Sequence, residues 1–381
     1  MSFAIHPLEE SAMRGRCPAP KTVENLPGAN VIGFAFPIHQ EWHISVWPLA
    51  GETPDAMGLR LVTLLKQHRA IVVRQEVFAP LAGRKQMMSV WEREFGGIDW
   101  PVTWVESDSE NGGMHVLAVS GVPVETVRCD GRVVGKVFSD GDARHCLLGD
   151  LCPADGDRLA SVQCRELFGQ MERALAQTGM TMAHVSRTWF FFDDILADYN
   201  DFNQVRNGFF SERHMFNRIL PASTGIGARN ANGSAIVGGA WAVQPLDACP
   251  VQAAMSPLQN PSIEYGSAFS RAVVIDSGGA RRLLVSGTAS IDPAGRSVHR
   301  ADTARQIALT MDVVQEILKS NGFHLSEAVR ATAYFREAGD VEVFRAWQRK
   351  HGIRLAPLVM TGAVVCRDEL LFEIEIDIVS H

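Results

Sequence analysis

The apolar positions of this chain change period in a repeating order. Near the C-terminus, LLVSGTASID reads as an apolar strand. Residues 301–321 then carry Ile307, Met311, Val314, Ile317 and Leu318 at the spacing of one helix face. Asn321-Gly322 is a helix stop. AVRATAYF alternates like a strand, 341–351 is a second helix, and LAPLVMTGAVV and LLFEIEIDIV close the unit as strands. Upstream the order recurs: strand CLLGDL, helix 163–178 ending at Gly179, strand HVSRTWFFF, helix 198–213, then PASTGIGA and SAIVGGAWAV. A fainter copy has helix 56–68, strand AIVVRQEVF, helix 83–95, and the strands PVTWVES and MHVLAVSG. The pattern predicts an α+β chain of three fused β-α-β-α-β-β units, each a sheet with two helices on one face. The unit boundaries are expected at 1–150, 151–250 and 251–381. Residues 130–144 and 245–261, rich in Gly, Pro and Asp, read as linkers.

Composition narrows the partners. Among 381 residues, 46% are hydrophobic and 21% charged, with a net charge of -7, as in an ordered globular protein. A mildly acidic chain has no general attraction for nucleic acid or anionic membrane, so an anionic ligand would need specific arginines. No apolar run approaches the roughly 20 residues of a membrane span. Residues 1–20 lack a signal-peptide core. The seven cysteines, Cys17, Cys129, Cys146, Cys152, Cys164, Cys249 and Cys366, form no CxxC pair or zinc spacing, which suits free thiols in a reducing cytoplasm. His39 and His43 of HQEWH resemble half a metal site and, lacking a third ligand, read as surface or capping residues. Asp193-Asp194 reads as a turn and WFFF as core. No nucleotide or phosphate motif occurs, so neither a cofactor nor a metal is expected.

VSGTASID, the long helix after it, VRATAYF and FEIEIDIV together resemble the YjgF/RidA family, and NPSIEYGSAFSRAVVI is similar to that family's leading segment. RidA proteins are trimers with ligand clefts between subunits. The resemblance therefore implies that three fused copies form an internal pseudo-trimer, for which a monomer suffices. More narrowly, RTWFFFDDILADYNDFNQVRNGFF, PASTGIGA, EYGSAFSRA, SGTASI and CRDELLFEIE, spanning about 187–375, resemble the chorismatases. That implies a cytoplasmic enzyme whose small-molecule substrate is chorismate and which removes pyruvate from it. The chain departs from RidA at one place. The arginine RidA enzymes use for a substrate carboxylate is missing from LAPLVMTGA and from PASTGIGA, which argues against imine deamination. A non-catalytic small-ligand module is the third reading.

By alternation, Leu371, Glu373 and Glu375 share one strand face and Phe372, Ile374 and Ile376 the other, and periodicity alone turns the glutamates to solvent. The resemblance instead puts the catalytic acid at the first Glu of FEIE, Glu373, with Glu375 structural. The positions aligned with Glu373 in the other copies are expected at Gly238 and about His115, so one acid implies one cleft. Such an acid must hold its proton near neutral pH to protonate an enolpyruvyl methylene carbon, which desolvation favours. Cys366, seven residues earlier, resembles the cysteine of 3-hydroxybenzoate-forming chorismatases. Ala289 points the other way, to the hydrolytic branch giving 3,4-dihydroxycyclohexa-1,5-dienoate. A dicarboxylate substrate suits arginine forks. Arg271 with its neighbours Tyr265 and Ser270, and Arg206 and Arg213 from the middle copy, are the candidate substrate-binding residues. Tyr199 reads as a helix anchor.

Overall fold

A computed structural model describes residues 21–108, 111–154, 156, 158–246, 250–355 and 357–380. Cys17 and Cys249 lie outside them. The first unit runs β1 (Lys21–Leu26), β2 (Ala29–Ala35), β3 (Gln40–Val46), α1 (Pro54–Gln67), β4 (Ile71–Phe78), α2 (Arg84–Phe95), β5 (Val102–Val105) and β6 (Gly113–Ser120). The second runs β7 (Glu125–Cys129), β8 (Arg132–Ser139), β9 (Ala143–Leu151), α3 (Ala160–Ala176), β10 (Val185–Phe192), α4 (Ile195–Glu212), β11 (Ala222–Gly227) and β12 (Ile236–Pro245). The third runs β13 (Val251–Ala254), β14 (Ala272–Ser277), β15 (Ala280–Ala289), α5 (Thr303–Ser320), β16 (Ala328–Phe335), α6 (Asp340–His351), β17 (Leu358–Gly362) and β18 (Phe372–Ser380).

Each unit forms a six-stranded mixed sheet of the same order: β1-β2-β3-β6-β4-β5, β7-β8-β9-β12-β10-β11 and β13-β14-β15-β18-β16-β17. The chain is thus α+β and threefold repeated, but each unit opens with a three-strand meander where the sequence predicted one strand. Residues 130–144, expected to be a linker, carry β8, and residues 245–261 carry β13. The middle sheet starts at Glu125, so the first boundary falls at 121–124 and not at 150. The reason is local: β7 (ETVRC) is an edge strand with one buried residue, so its alternation is faint.

The helices lie on one face of each sheet. Asp194 and Asp302 cap α4 and α5, their side chains accepting from the amides of Ala197 (3.1 Å) and Arg305 (3.0 Å). α5 buries Ile307, Met311, Val314, Ile317 and Leu318, the predicted stripe, against Phe372, Ile374, Ile376 and Ile378 of β18. No described helix is long and apolar enough to cross a membrane.

The opposite faces of the three sheets meet one another, sharing a core that includes Val73, Phe191 and Tyr334. This assembly overturns the solvent-facing expectation for β18: Glu373, Glu375 and Asp377 are buried where the sheets converge. Three arginines arrive there in the same register, each just after a bulge: Arg74 opposite Leu117, Arg187 opposite Trp241, and Arg330 opposite Asp377. His39 and His43 are likewise buried and not surface residues. They flank Glu41, which accepts from His43 (2.7 Å) and from Arg282 of the third unit (2.8 Å). A buried arginine needs a buried anion, and HQEWH supplies it.

Candidate active site

A cleft opens where β10, α4 and β11 of the middle unit face β15, β18 and the segment leading into β14 of the third. Its walls are joined across the units by backbone. Ser270 donates its amide to Pro221 (2.9 Å), and Gly227 and Val364 exchange two bonds (2.7 and 2.8 Å). The Ser223 amide donates to the Ser286 hydroxyl (2.8 Å).

Glu373 forms the acidic end of this cleft. On β18 it lies opposite Tyr334 of β16 on one side and Ala289 of β15 on the other. β15 is bulged between Val285 and Thr288, which brings the bare backbone of Gly287 against the carboxyl. Burial pushes the Glu373 carboxyl up to about 8, the negative charge of Glu375 adds to this, and Arg187 opposes it. The side chain therefore carries its proton through neutrality.

Two residues on, Glu375 is in the opposite state. One of its oxygens accepts from Arg187, from the Trp189 indole (3.0 Å) and from the Thr224 hydroxyl (2.5 Å). The other accepts from Arg330 (2.5 Å) and the Tyr334 hydroxyl (3.0 Å). Burial disfavours its charge, yet Arg330 and Arg187 outweigh burial and hold it well below the usual carboxylate range.

The rest of the cleft is cationic and aromatic. Arg271 donates to the Asn260 carbonyl through Nε (3.1 Å) and Nη2 (2.8 Å). Arg206 is buried, donates to Asn203 (2.5 Å), and packs over Phe202. Phe269 lies beside both guanidinium groups, 5.7 Å from that of Arg206 and 5.6 Å from that of Arg271. Arg367, bonded to the Gly295 carbonyl (2.7 Å), adds a third guanidinium to the lining. A cleft with one protonated acid and three cations can receive a polyanion and give it a proton.

No family model matches the chain. A 3-hydroxybenzoate synthase of Streptomyces hygroscopicus is 28% identical over 221 residues, 50% of this chain and 62% of that protein, so the match spans about three-fifths of the relative's length. A crystal structure of a chorismatase superposes with a TM-score of 0.59 at 21% identity, covering 74% of this chain and 87% of that one. The chain has the chorismatase fold. The YjgF gene product of E. coli, at 18% identity and a TM-score of 0.28, matches 34% of this chain and 99% of its own.

Within this chorismatase fold the expected residues separate. Arg271, Arg206, Ala289, Cys366 and Glu373 line the same cleft. Arg213 does not reach it. It pairs with Glu172 (2.5 Å) and Glu212 (3.0 Å) and stacks on Phe209, because two helical turns, roughly 10 Å, carry it past Arg206. Ser270 contributes backbone, its carbonyl accepting from the Ser286 hydroxyl (2.6 Å), and is not among the lining groups. Tyr265 ends a short 3-10 turn, and its side chain lies outside the described residues. Tyr199 does more than anchor α4: it lines the cleft and hydrogen-bonds Cys366. Burial pushes the Cys366 thiol up to about 12, with Glu373 adding to the effect.

The strand registers correct one alignment. In the middle unit Glu373 is matched by Val237 and not by Gly238, and in the first unit by Gly113, on the same strand face as His115 and two residues before it, counting back four positions from Asp377, Trp241 and Leu117, the partners of the three arginines that follow the bulges. Neither Val237 nor Gly113 is an acid, which leaves one acid at this position in the three copies. Sequence reasoning missed Arg367, although it directly follows Cys366 in CRDELLFEIE, and it missed Gly287 and Thr224. Thr224 matters through contacts between units, and Gly287 through the room it leaves for Glu373 on the next strand, neither of which carries a local signal.

Proposed function

We propose that this chain is a chorismatase in which Glu373 protonates the enolpyruvyl methylene of chorismate and pyruvate leaves. What carries this reading is that the one acid among the described residues of the cleft is buried and holds its proton near neutral pH, beside Arg206, Arg271 and Arg367. The three guanidinium groups suit the two carboxylates of chorismate. Protonation of the methylene makes an oxocarbenium centre at the ether carbon. The C4 hydroxyl then attacks C3, the C3–O bond breaks, and its electrons complete the carbonyl of pyruvate. The hydroxyl proton returns to Glu373. Opening of the resulting epoxide and aromatisation give 3-hydroxybenzoate, so chorismate divides into 3-hydroxybenzoate and pyruvate with no other reactant.

The name of the sequence relative supports this branch, as does Cys366 in the same cleft as Glu373. The cysteine acts there as a neutral thiol, able to give a proton to the opening epoxide. A second reading rests on Ala289, directly opposite Glu373: water adds at the oxocarbenium carbon and the dihydroxycyclohexadienoate leaves. The test is incubation with chorismate, with pyruvate followed by coupled reduction and the ring product by chromatography. Pyruvate and 3-hydroxybenzoate in equal amounts are expected, with Glu373→Gln inactive but still binding. No pyruvate from the folded parent, or undiminished turnover by Glu373→Gln, would sink the assignment.

A further inference from the structure

Two carboxyls on one face of β18 have opposite surroundings. Glu375 receives five donors, from Arg187, Trp189, Thr224, Arg330 and Tyr334, drawn from both units that form the cleft. Glu373 receives no hydrogen bond from the described residues, and its Oε1 rests against the backbone at Gly287. A carboxylate with its lone pairs filled by five donors has no place for a proton. An acid two strand positions away, roughly 7 Å along the strand, then faces a fixed negative charge through the protein interior.

Thr224 links the two acids mechanically. Its hydroxyl donates to Glu375 and accepts the Gly287 amide (3.0 Å), so one side chain of the middle unit holds both the anion and the bulge that seats Glu373. Other groups also face Glu373. Cys366 and Tyr199 are neutral donors. Arg187 favours the ionised acid, and Arg206, Arg271 and Arg367 line the same cleft. Among the described groups Glu375 is the anion that opposes Arg187 at Glu373.

We infer that Glu375 is a positioning residue for Glu373: a carboxylate locked in its ionised form by the inter-unit donors, whose charge keeps the neighbouring acid in its proton-donating form. The inference rests on the reading of Glu373 as the proton donor. Pairs of acids driven apart by their surroundings are how a protein sets one as donor and the other as fixed charge.

The experiment follows Glu373 in two independent ways in the full chain. The first is the carboxyl 13C resonance, assigned by its loss in Glu373→Gln. The second is the pH profile of kcat/KM with chorismate. Glu375→Gln removes the anion, so the Glu373 midpoint and the basic limb of the profile should both fall by roughly one to two pH units. Glu375→Asp keeps the charge and should restore most of the difference. A merely structural role would lower activity equally at every pH, and a limb that stays in place in folded Glu375→Gln overturns the inference while leaving the chorismatase reading standing. If Glu375→Gln does not fold, the parent spectrum decides, with the Glu375 resonance assigned by its shift in Glu375→Asp. At pH 6, Glu375 must be ionised and Glu373 protonated, and the reverse, or two ionised acids, overturns it. The expected midpoints in a parent that leaves chorismate intact would sink the enzymatic reading and keep the pairing of the two acids.

Discussion

A Cβ added to Gly287 would collide with Oε1 of Glu373. The backbone of Gly287 is not in the left-handed region, so glycine is required here for space and not for conformation. The acid of β18 reaches its position only because β15 has no side chain where it passes.

Gly287→Ala should therefore fold and still lose activity. The carboxyl must swing aside by about an ångström or more, and a displacement of that size costs roughly 100-fold in rate. The measurement is kcat/KM with chorismate beside the melting temperature. A variant with parental activity would show that the carboxyl works from another rotamer.

The pH profile follows from the state of Glu373. With its midpoint pushed up to about 8, kcat/KM should be level on the acid side of that value and fall about tenfold per pH unit beyond it. Stability carries the same sign. The unfolded chain ionises this group near its ordinary value of 4.5, whereas the fold retains the proton to about 8. Between those values the unfolded state binds fewer protons, so stability falls as pH rises. Glu373→Gln should accordingly melt above the parent by a margin that grows from pH 5 to pH 8 and then levels off. An unchanging margin in scanning calorimetry would contradict the burial argument.

The arginines divide into two classes. Arg271→Gln and Arg206→Gln remove buried cations that face the cleft, and each should raise KM for chorismate by roughly 10- to 100-fold. Arg213→Ala removes a half-buried pairing outside the cleft and should leave kcat and KM within about twofold. Equal losses for Arg213 and Arg271 would mean that the binding face has been misplaced.

Cys366 bears on the branch and not on the first step. Cys366→Ala should still release pyruvate, with a larger share of dihydroxycyclohexadienoate among the ring products. Because burial pushes its thiol up to about 12, it should react slowly with alkylating reagents at pH 7.5. Rapid alkylation, read by mass spectrometry, or an unchanged product ratio would argue against its role.

The helices and central strands were legible because each is governed by neighbours along the chain. The stripe Ile307, Met311, Val314, Ile317 and Leu318 has a single way to be buried on a helix. The meanders were not legible, since β7 and β13 pair at sheet edges with few buried side chains. In the cleft, Glu373, Cys366, Arg271 and Ala289 came from motif resemblance, whereas Arg367, Gly287 and Thr224 came from the structure.

By itself the sequence determined the threefold order of elements and which face of each strand is polar, because both are properties of local spacing. It could not decide whether the polar face of β18 meets water or protein, since alternation looks the same in either case. That was decided when three sheets brought those faces together and Arg74, Arg187 and Arg330 arrived to neutralise them. Burial of charge is favourable only when the counter-charge is present, and here it comes from Arg330 on the neighbouring strand β16 and from the other two units, far away in the chain.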